Sequence, residues 1–212
     1  MYNKFKIENT RVYISEIPMK TVFTDVYPAA RNDEIMNTSN KRLKCEKYFS
    51  WRLLENAVFD YLGVKIDEIQ FSKNKNGRWN AEGFDFSLSH SGGVAVVAIS
   101  AFAVGVDVEL ISRPRSNNFA GRILSKVEFE EFSNLSEGSR EEYLIRKWCE
   151  KEAIFKSRNL SAFIPKETVV ESDCKLITEL LTIGDKRYIL AVCTSQDCSN
   201  IEFVDLENRN KK

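Results

Sequence analysis

The chain has 212 residues, with 31 acidic and 31 basic side chains and a formal net charge of zero. That length suits one large domain or two small packed ones, and the charge balance speaks against a general nucleic-acid binder. No apolar run lacks charge for the length of a membrane span, and the N-terminal MYNKFKIENTRVYISEI has no apolar signal-peptide core. The five cysteines (Cys45, Cys149, Cys174, Cys193, Cys198) form no C-x-x-C pair, and His90 is the one histidine. A zinc site is therefore not expected, and reduced thiols in a cytoplasmic protein are.

In chain order, residues 9–16 predict a short strand. Residues 40–62 predict a helix with an apolar face at Leu43, Tyr48, Leu53, Leu54, Val58 and Leu62, ended by Gly63. KNKNGRW is a turn. FDFSLSHSGG is a strand entering a glycine turn, with Phe84, Phe86 and Leu88 on one face and Asp85, Ser87 and Ser89 on the other. VAVVAIS and AVGVDVEL are two further strands. LSKVEFEEFSNL and SREEYLIRKWCEKEAIFKSRN are helical, RYILAVCTS and IEFVDLE are strands, and the tail NRNKK is expected to be disordered. AVVAIS then VGVDVEL is echoed by ILAVCT then IEFVDLE, and each pair follows a helix containing Cys-Glu-Lys. The echo predicts an α+β fold of two similar halves, 1–105 and 106–212, each a small, mostly antiparallel sheet with a packed helix.

VGVDVEL sets two carboxylates in an apolar strand. Residues two apart share a face, so Asp107 and Glu109 point one way and Val106 and Val108 the other. Such a pair repels unless a cation sits between them or one takes a proton. Oxygen ligands suit a hard cation such as Mg²⁺; a solvated acidic strand face is the alternative. In the WCEKEAIFK helix, Leu144, Ile145, Trp148, Cys149 and Phe155 fill one arc, with Arg146, Lys147, Glu150 and Ile154 outside it. Glu152 falls inside the apolar arc and Lys156 at its edge. An i,i+4 pair explains their spacing; a third metal ligand also explains the inward direction of Glu152, with Lys151 and Lys156 neutralising phosphate oxygens. Ser89 and His90, at a strand end, offer an anion site or an ordinary turn. Lys41, Arg42, Lys44 and Arg52 form a basic helix face that is solvated or receives an anion.

Three motifs in order, FSLSHSGG, VGVDVEL and WCEKEAIFK, resemble the 4′-phosphopantetheinyl transferases, of the two-halved surfactin-synthetase-activating type. The family pair (V/I)-G-(I/V)-D-(V/I)-E and W-x-x-K-E-(A/S)-x-x-K is met by Val104 to Glu109 and by Trp148, Lys151, Glu152, Ala153 and Lys156. The resemblance covers about residues 40–207. It implies a pseudo-twofold α+β fold with coenzyme A between the halves, the first half on the 3′-phosphate side and the second on the metal side. It implies Mg²⁺, with Mn²⁺ as an alternative, on Asp107, Glu109 and Glu152. His90 and the basic residues Lys41, Lys44 and Arg52 would meet the 3′-phosphate, and Lys151 and Lys156 the pyrophosphate. Arg78 stands where the family has the lysine of Gly-Lys-Pro, with Trp79 replacing the proline. The implied reaction transfers phosphopantetheine to a serine of an apo acyl or peptidyl carrier protein, with Glu152 as base and Lys151 assisting the leaving group, in a monomer that needs neither membrane nor nucleic acid. A non-catalytic relative binding coenzyme A or a carrier is the alternative; another phosphotransferase lacks support because no P-loop or kinase glycine loop is present.

Overall fold

A computed structural model describes residues 5, 7, 9–18, 21–112, 117–195, 198 and 200–205. The chain is mixed α and β. Strand β1 (Thr10–Glu16) is followed by helices α1 (Ala29–Met36) and α2 (Lys41–Leu62), then by strands β2 (Phe71–Lys73), β3 (Trp79–Ala81), β4 (Asp85–Ser91), β5 (Val94–Ser100) and β6 (Val104–Ile111). Helices α3 (Asn117–Ile123), α4 (Lys126–Asn134) and α5 (Glu137–Arg158) come next, then β7 (Cys174–Ile183), β8 (Lys186–Ser195) and β9 (Ile201–Asp205). The larger sheets run β4-β5-β1-β9 and β6-β8-β7, and β2 and β3 form a hairpin of their own. Pairing is antiparallel except between β1 and β9. Strand β9 thus returns to the first sheet.

Each sheet carries a helix on one face. In α2, Trp51, Leu54, Ala57 and Val58 are fully buried, against Tyr13, Phe86, Val97 and Ile99. In α5, Ile145, Cys149, Ala153 and Ile154 pack on Ile189, Ala191 and Cys193. The opposite faces of the two sheets meet, burying Val12, Val94, Val96 and Ala98 against Val104, Val106, Val108, Leu190 and Val192. This layering explains why VAVVAIS reads as a continuous apolar run: with both faces covered, all seven residues of β5 are buried. Gly92 and Gly93, at φ +60° and +96°, turn β4 into β5, a left-handed pair that side chains resist.

The sheets are also joined at an edge. The N–H groups of Val106, Val108 and Leu110 donate to the hydroxyls of Ser87, Ser89 and Ser91 at 3.0, 3.2 and 3.2 Å. Backbone donors on the free edge of β6 would otherwise lack partners. The alternating serines of FSLSHS are the seam between the two larger sheets.

Sequence patterning does not anticipate α1, α3 or β7. Of α1 only Ile35 is buried, so no apolar stripe repeats. Strand β7 is an edge strand without one fully buried residue, and its half-exposed positions blur the period. Ile154, expected outside the apolar arc of α5, is 2% exposed. The expected arc straddles two surfaces: Ile154 joins Ile145, Cys149 and Ala153 on β8, while Leu144 and Trp148 pack with α3 and α4. The expected disorder of NRNKK, the side chain of Asp205 and all of Glu207 lie outside the described residues.

Candidate active site

The site lies where β4 meets β6, between α2 and α5. A cleft of about 380 Å³ is lined by Arg31, Lys47, Ser50, Leu88, Ser89, His90, Asp107, Glu109, Trp148, Glu152 and Lys156. Its floor follows from the alternation of β6. Val104, Val106 and Val108 turn into the core between the sheets, which directs Gly105, Asp107 and Glu109 toward α5. Gly105 lets the helix approach: a Cβ there would stand 2.0 Å from the Ala153 carbonyl oxygen and 2.5 Å from the Ser157 nitrogen. That close crossing sets the α5 side chains over the β6 carboxylates.

Asp107 is 4% exposed. Its Oδ1 accepts from Lys156 Nζ at 2.6 Å and Ser89 Oγ at 2.7 Å, while its Oδ2 is buried without a hydrogen-bond partner. Behind it, Cys149 Sγ donates to the Asp107 carbonyl at 3.1 Å. Glu109 accepts from Ser91 Oγ at 3.0 Å and Trp148 Nε1 at 3.2 Å. Burial raises the pKa of Glu152; Lys156 opposes the rise, and Asp107 and Glu109 add to it. Burial works against the charge of Lys156, but Asp107 and Glu152 outweigh it and its pKa rises. One ammonium thus stands between Asp107 and Glu152 and offsets part of the charge of the cluster.

The opposite wall is basic. His90 Nδ1 is 3.4 Å from Glu46 Oε2, and burial lowers the pKa of the ring against the pull of that carboxylate. Arg31 lies over the Trp51 ring at 4.8 Å and bonds Glu34 at 3.1 Å, with a buried Nε that has no partner. Burial lowers its pKa too. Lys47 Nζ donates to Thr38 Oγ1 at 3.3 Å.

The structure therefore brings together Ser89, His90, Asp107, Glu109, Glu152 and Lys156. It sets the remaining sequence candidates elsewhere. Lys41 is exposed and Lys44 lies near the Phe23 ring, at 5.9 Å; neither lines the cleft. Arg52 pairs with Glu55 at the wall of a separate cavity. Arg78 is bound to Asp85 and to backbone carbonyls. Lys151 is 2% exposed, with Nζ held by Glu128 at 2.9 Å and the Pro165 carbonyl at 2.8 Å. Sequence reasoning missed Lys47 and Arg31. Lys47 heads the inward stripe 47-51-54-58 of α2, so extending that stripe one turn would have found it. Arg31 lies in α1, where no periodic signal exists.

Among the described residues no three His, Cys, Asp or Glu side chains close into a ready metal cage. The donor types still fit a hard cation. All are carboxylate oxygens, and the orphaned Asp107 Oδ2 is a buried acceptor with nothing to accept from.

A family model described as the 4′-phosphopantetheinyl transferase superfamily matches residues 103–207, a span holding both acidic motifs. The chain is 25% identical over 175 residues to the 4′-phosphopantetheinyl transferase psf-1 of Bacillus pumilus, covering 74% of each protein. It is 22% identical over 209 residues to a 4′-phosphopantetheinyl transferase of Bacillus subtilis, 84% of this chain and 93% of the relative. Against the transferase Sfp of Bacillus subtilis strain 168 it is 22% identical over 152 residues, 65% of this chain and 67% of the relative. Both acidic motifs lie inside the matched span and the three relatives are of one kind, so over that span this chain is similar to the 4′-phosphopantetheinyl transferase superfamily.

Proposed function

We propose that this protein transfers the 4′-phosphopantetheine arm of coenzyme A to a serine hydroxyl of an apo acyl or peptidyl carrier protein, releasing 3′,5′-adenosine bisphosphate. The observation that carries the reading is the facing of Asp107, Glu109, Glu152 and Lys156 against His90, Arg31 and Lys47 across one cleft. An acidic floor opposite a basic wall suits a polyphosphate substrate bound with a cation.

Asp107, Glu109 and Glu152 would hold Mg²⁺, or Mn²⁺, which when bound neutralises pyrophosphate oxygens and polarises the phosphorus under attack. Arg31, Lys47 and His90 receive the phosphates, the 3′-phosphate among them. The unpaired Nε of Arg31 is a donor in want of an acceptor, and His90 gains charge when an anion approaches. The serine oxygen forms a bond to the β-phosphorus, and the bond from that phosphorus to the bridging oxygen breaks. The serine proton passes to Glu152, whose raised pKa brings it nearer the operating pH. Lys156 stabilises charge on the phosphoryl oxygens. Lys151 acts through position: bound to Glu128 and the Pro165 carbonyl, it fixes the helix turn that carries Glu152.

The pseudo-twofold reading of 1–105 and 106–212 is supported by a shared order. Both run strand, 22-residue helix, hairpin, with the first strand added antiparallel to the second hairpin strand. Among the described residues no helix is long and apolar enough to cross a membrane, and a cytoplasmic monomer is the working state proposed here. The deciding experiment is direct. Incubation with coenzyme A, Mg²⁺ and an apo carrier should add one phosphopantetheine mass to the carrier. Binding of coenzyme A with no mass gain on fatty-acid, polyketide or peptide carriers would leave only a binding protein.

A further inference from the structure

The turn between β2 and β3 belongs to the first half, yet its side chains close the end of α5 in the second. Asn74 Nδ2 donates to Asn159 Oδ1 at 3.0 Å, and Asn76 Nδ2 donates to the Asn159 carbonyl at 3.1 Å. Arg78 reaches furthest. Its Nη1 donates to the Lys156 carbonyl. Its Nη2 donates to Asp85 Oδ1 at 2.8 Å and Oδ2 at 2.9 Å, and lies 2.9 Å from the Phe86 carbonyl and 3.1 Å from that of Val104. Asp85 in turn accepts the Val104 N–H at 2.9 Å. One guanidinium therefore ties together β4, the first residue of β6 and the last turn of α5.

Physical need accounts for this arrangement. The last carbonyls of a helix have no partner within it, and the negative end of its dipole favours a cation. Helix α5 ends at Asn159, which is left-handed at φ +50°, and the other half supplies the donors. The carbonyl held by Arg78 is that of Lys156, whose ammonium meets Asp107 Oδ1 at 2.6 Å and the Val106 carbonyl at 3.2 Å. Arg78 itself is not among the residues lining the cleft.

We propose that the turn Asn74–Arg78 is a clamp on the last turn of α5, and that Arg78 is a positioning residue that sets Lys156 against Asp107. The second clause rests on the reading of the cleft given above. Docking of the two halves and alignment of Lys156 are then one event. Lysine cannot replace arginine in this role, because a single ammonium does not span acceptors on three elements.

The test uses the full chain with Arg78→Met, Arg78→Lys and Asn76→Ala. Amide exchange at residues 157–159 should quicken about tenfold in Arg78→Met and less in Asn76→Ala, with β5 amides unchanged. Turnover should fall about tenfold in Arg78→Met, with little rescue by Arg78→Lys. In a Lys156→Ala background the same change should cost less than about twofold, because its target is already gone. Should Arg78→Met fail to fold, the exposed Asn76→Ala variant carries the exchange measurement. Unchanged exchange in the last turn of α5 overturns the clamp. An equal loss of turnover with and without Lys156 overturns the positioning role. A wild-type protein that modifies no carrier removes the transferase reading and with it the positioning role, while the exchange data still decide the clamp.

Discussion

Helices α2 and α5 are both 22 residues long, and each covers one face of a sheet. They bury different chemistry. Toward its sheet α2 presents Trp51, Leu54, Ala57 and Val58, and Trp51 alone touches the rings of Phe71, Trp79 and Phe86. Around the corresponding stretch α5 carries Lys151, Glu152 and Lys156, and the strand beneath it carries Asp107 and Glu109. The first layer, α2 on its sheet, is thus a conventional apolar core with a basic rim. The second gives up part of its packing to charged groups that satisfy one another only in part, since Asp107 Oδ2 has no partner. Buried charge of this kind costs stability, and the apolar partner sheet supplies the compensating burial.

The largest effects are expected at the acidic floor. Asp107→Asn or Glu152→Gln should lower transfer by about 10²–10³-fold or more while the protein stays folded; the melting temperature should hold or rise in Glu152→Gln, by relief of repulsion, and fall in Asp107→Asn, which takes the charged partner from Lys156. Carrier mass spectrometry and thermal melts check both halves of the statement. Near-normal turnover in either variant, after Mg²⁺ is stripped and restored, would remove that residue from the proposed site.

Packing changes should show the opposite balance. Leu54→Ala, in the core behind α2, should cost about 2–5 kcal/mol of stability, with turnover per folded molecule largely kept. Gly105→Ala in the second half should cost about 1–3 kcal/mol or more and also lower turnover, because the added methyl pushes α5 away from β6. Equal activity losses per folded molecule in the two variants would erase the distinction drawn here.

Buried charge beneath α5 should also show in the pH dependence of stability. The folded pKa of Glu152 is raised, chiefly by burial, so folding takes up a proton. Its stabilising contribution is present below the unfolded carboxylate range and fades as pH rises through the folded value. Thermal melts from acid to neutral pH should show Glu152→Gln gaining on the wild type from about pH 4.3 upward. A gap constant with pH would mean that Glu152 is not desolvated.

On the basic wall, His90→Ala should raise the KM for coenzyme A by about 10-fold or more, and raise that for dephospho-coenzyme A much less. Lys41→Ala and Lys44→Ala, outside the cleft, should change either by less than about twofold. The smallest effect is expected at the echo of the acidic motif. Asp205→Asn with Glu207→Gln should leave transfer intact: the helix opposite that echo has Tyr48 and Phe49 where α5 has Glu152 and Ala153, and two carboxylates hold Mg²⁺ poorly. Loss of activity in that double variant would put the metal in the other half.

Much of the site was legible because its residues lie in strongly periodic elements. A period-two strand places Asp107 and Glu109 together, and a helical period turns Glu152 inward. The basic side was less legible. Lys41, Lys44 and Arg52 look like an anion site when written in a line, but the rotation of α2 against its sheet leaves them on other faces and presents Lys47 instead. Arg31 reaches the cleft from a short helix whose placement no local pattern encodes.

The sequence by itself determined the elements with a repeating apolar period, the glycine turn at 92–93 and the pairing of two acidic motifs, since these depend on local backbone geometry and side-chain alternation. Tertiary structure alone decided the rest. Whether Ser89 binds a ligand or a neighbouring strand, whether Arg78 and Lys151 face the cleft or brace it, and which carboxylate Lys156 meets all depend on contacts between residues far apart in the chain. A polar side chain takes whichever partner the packed fold brings within about 3 Å, and no local pattern records that choice.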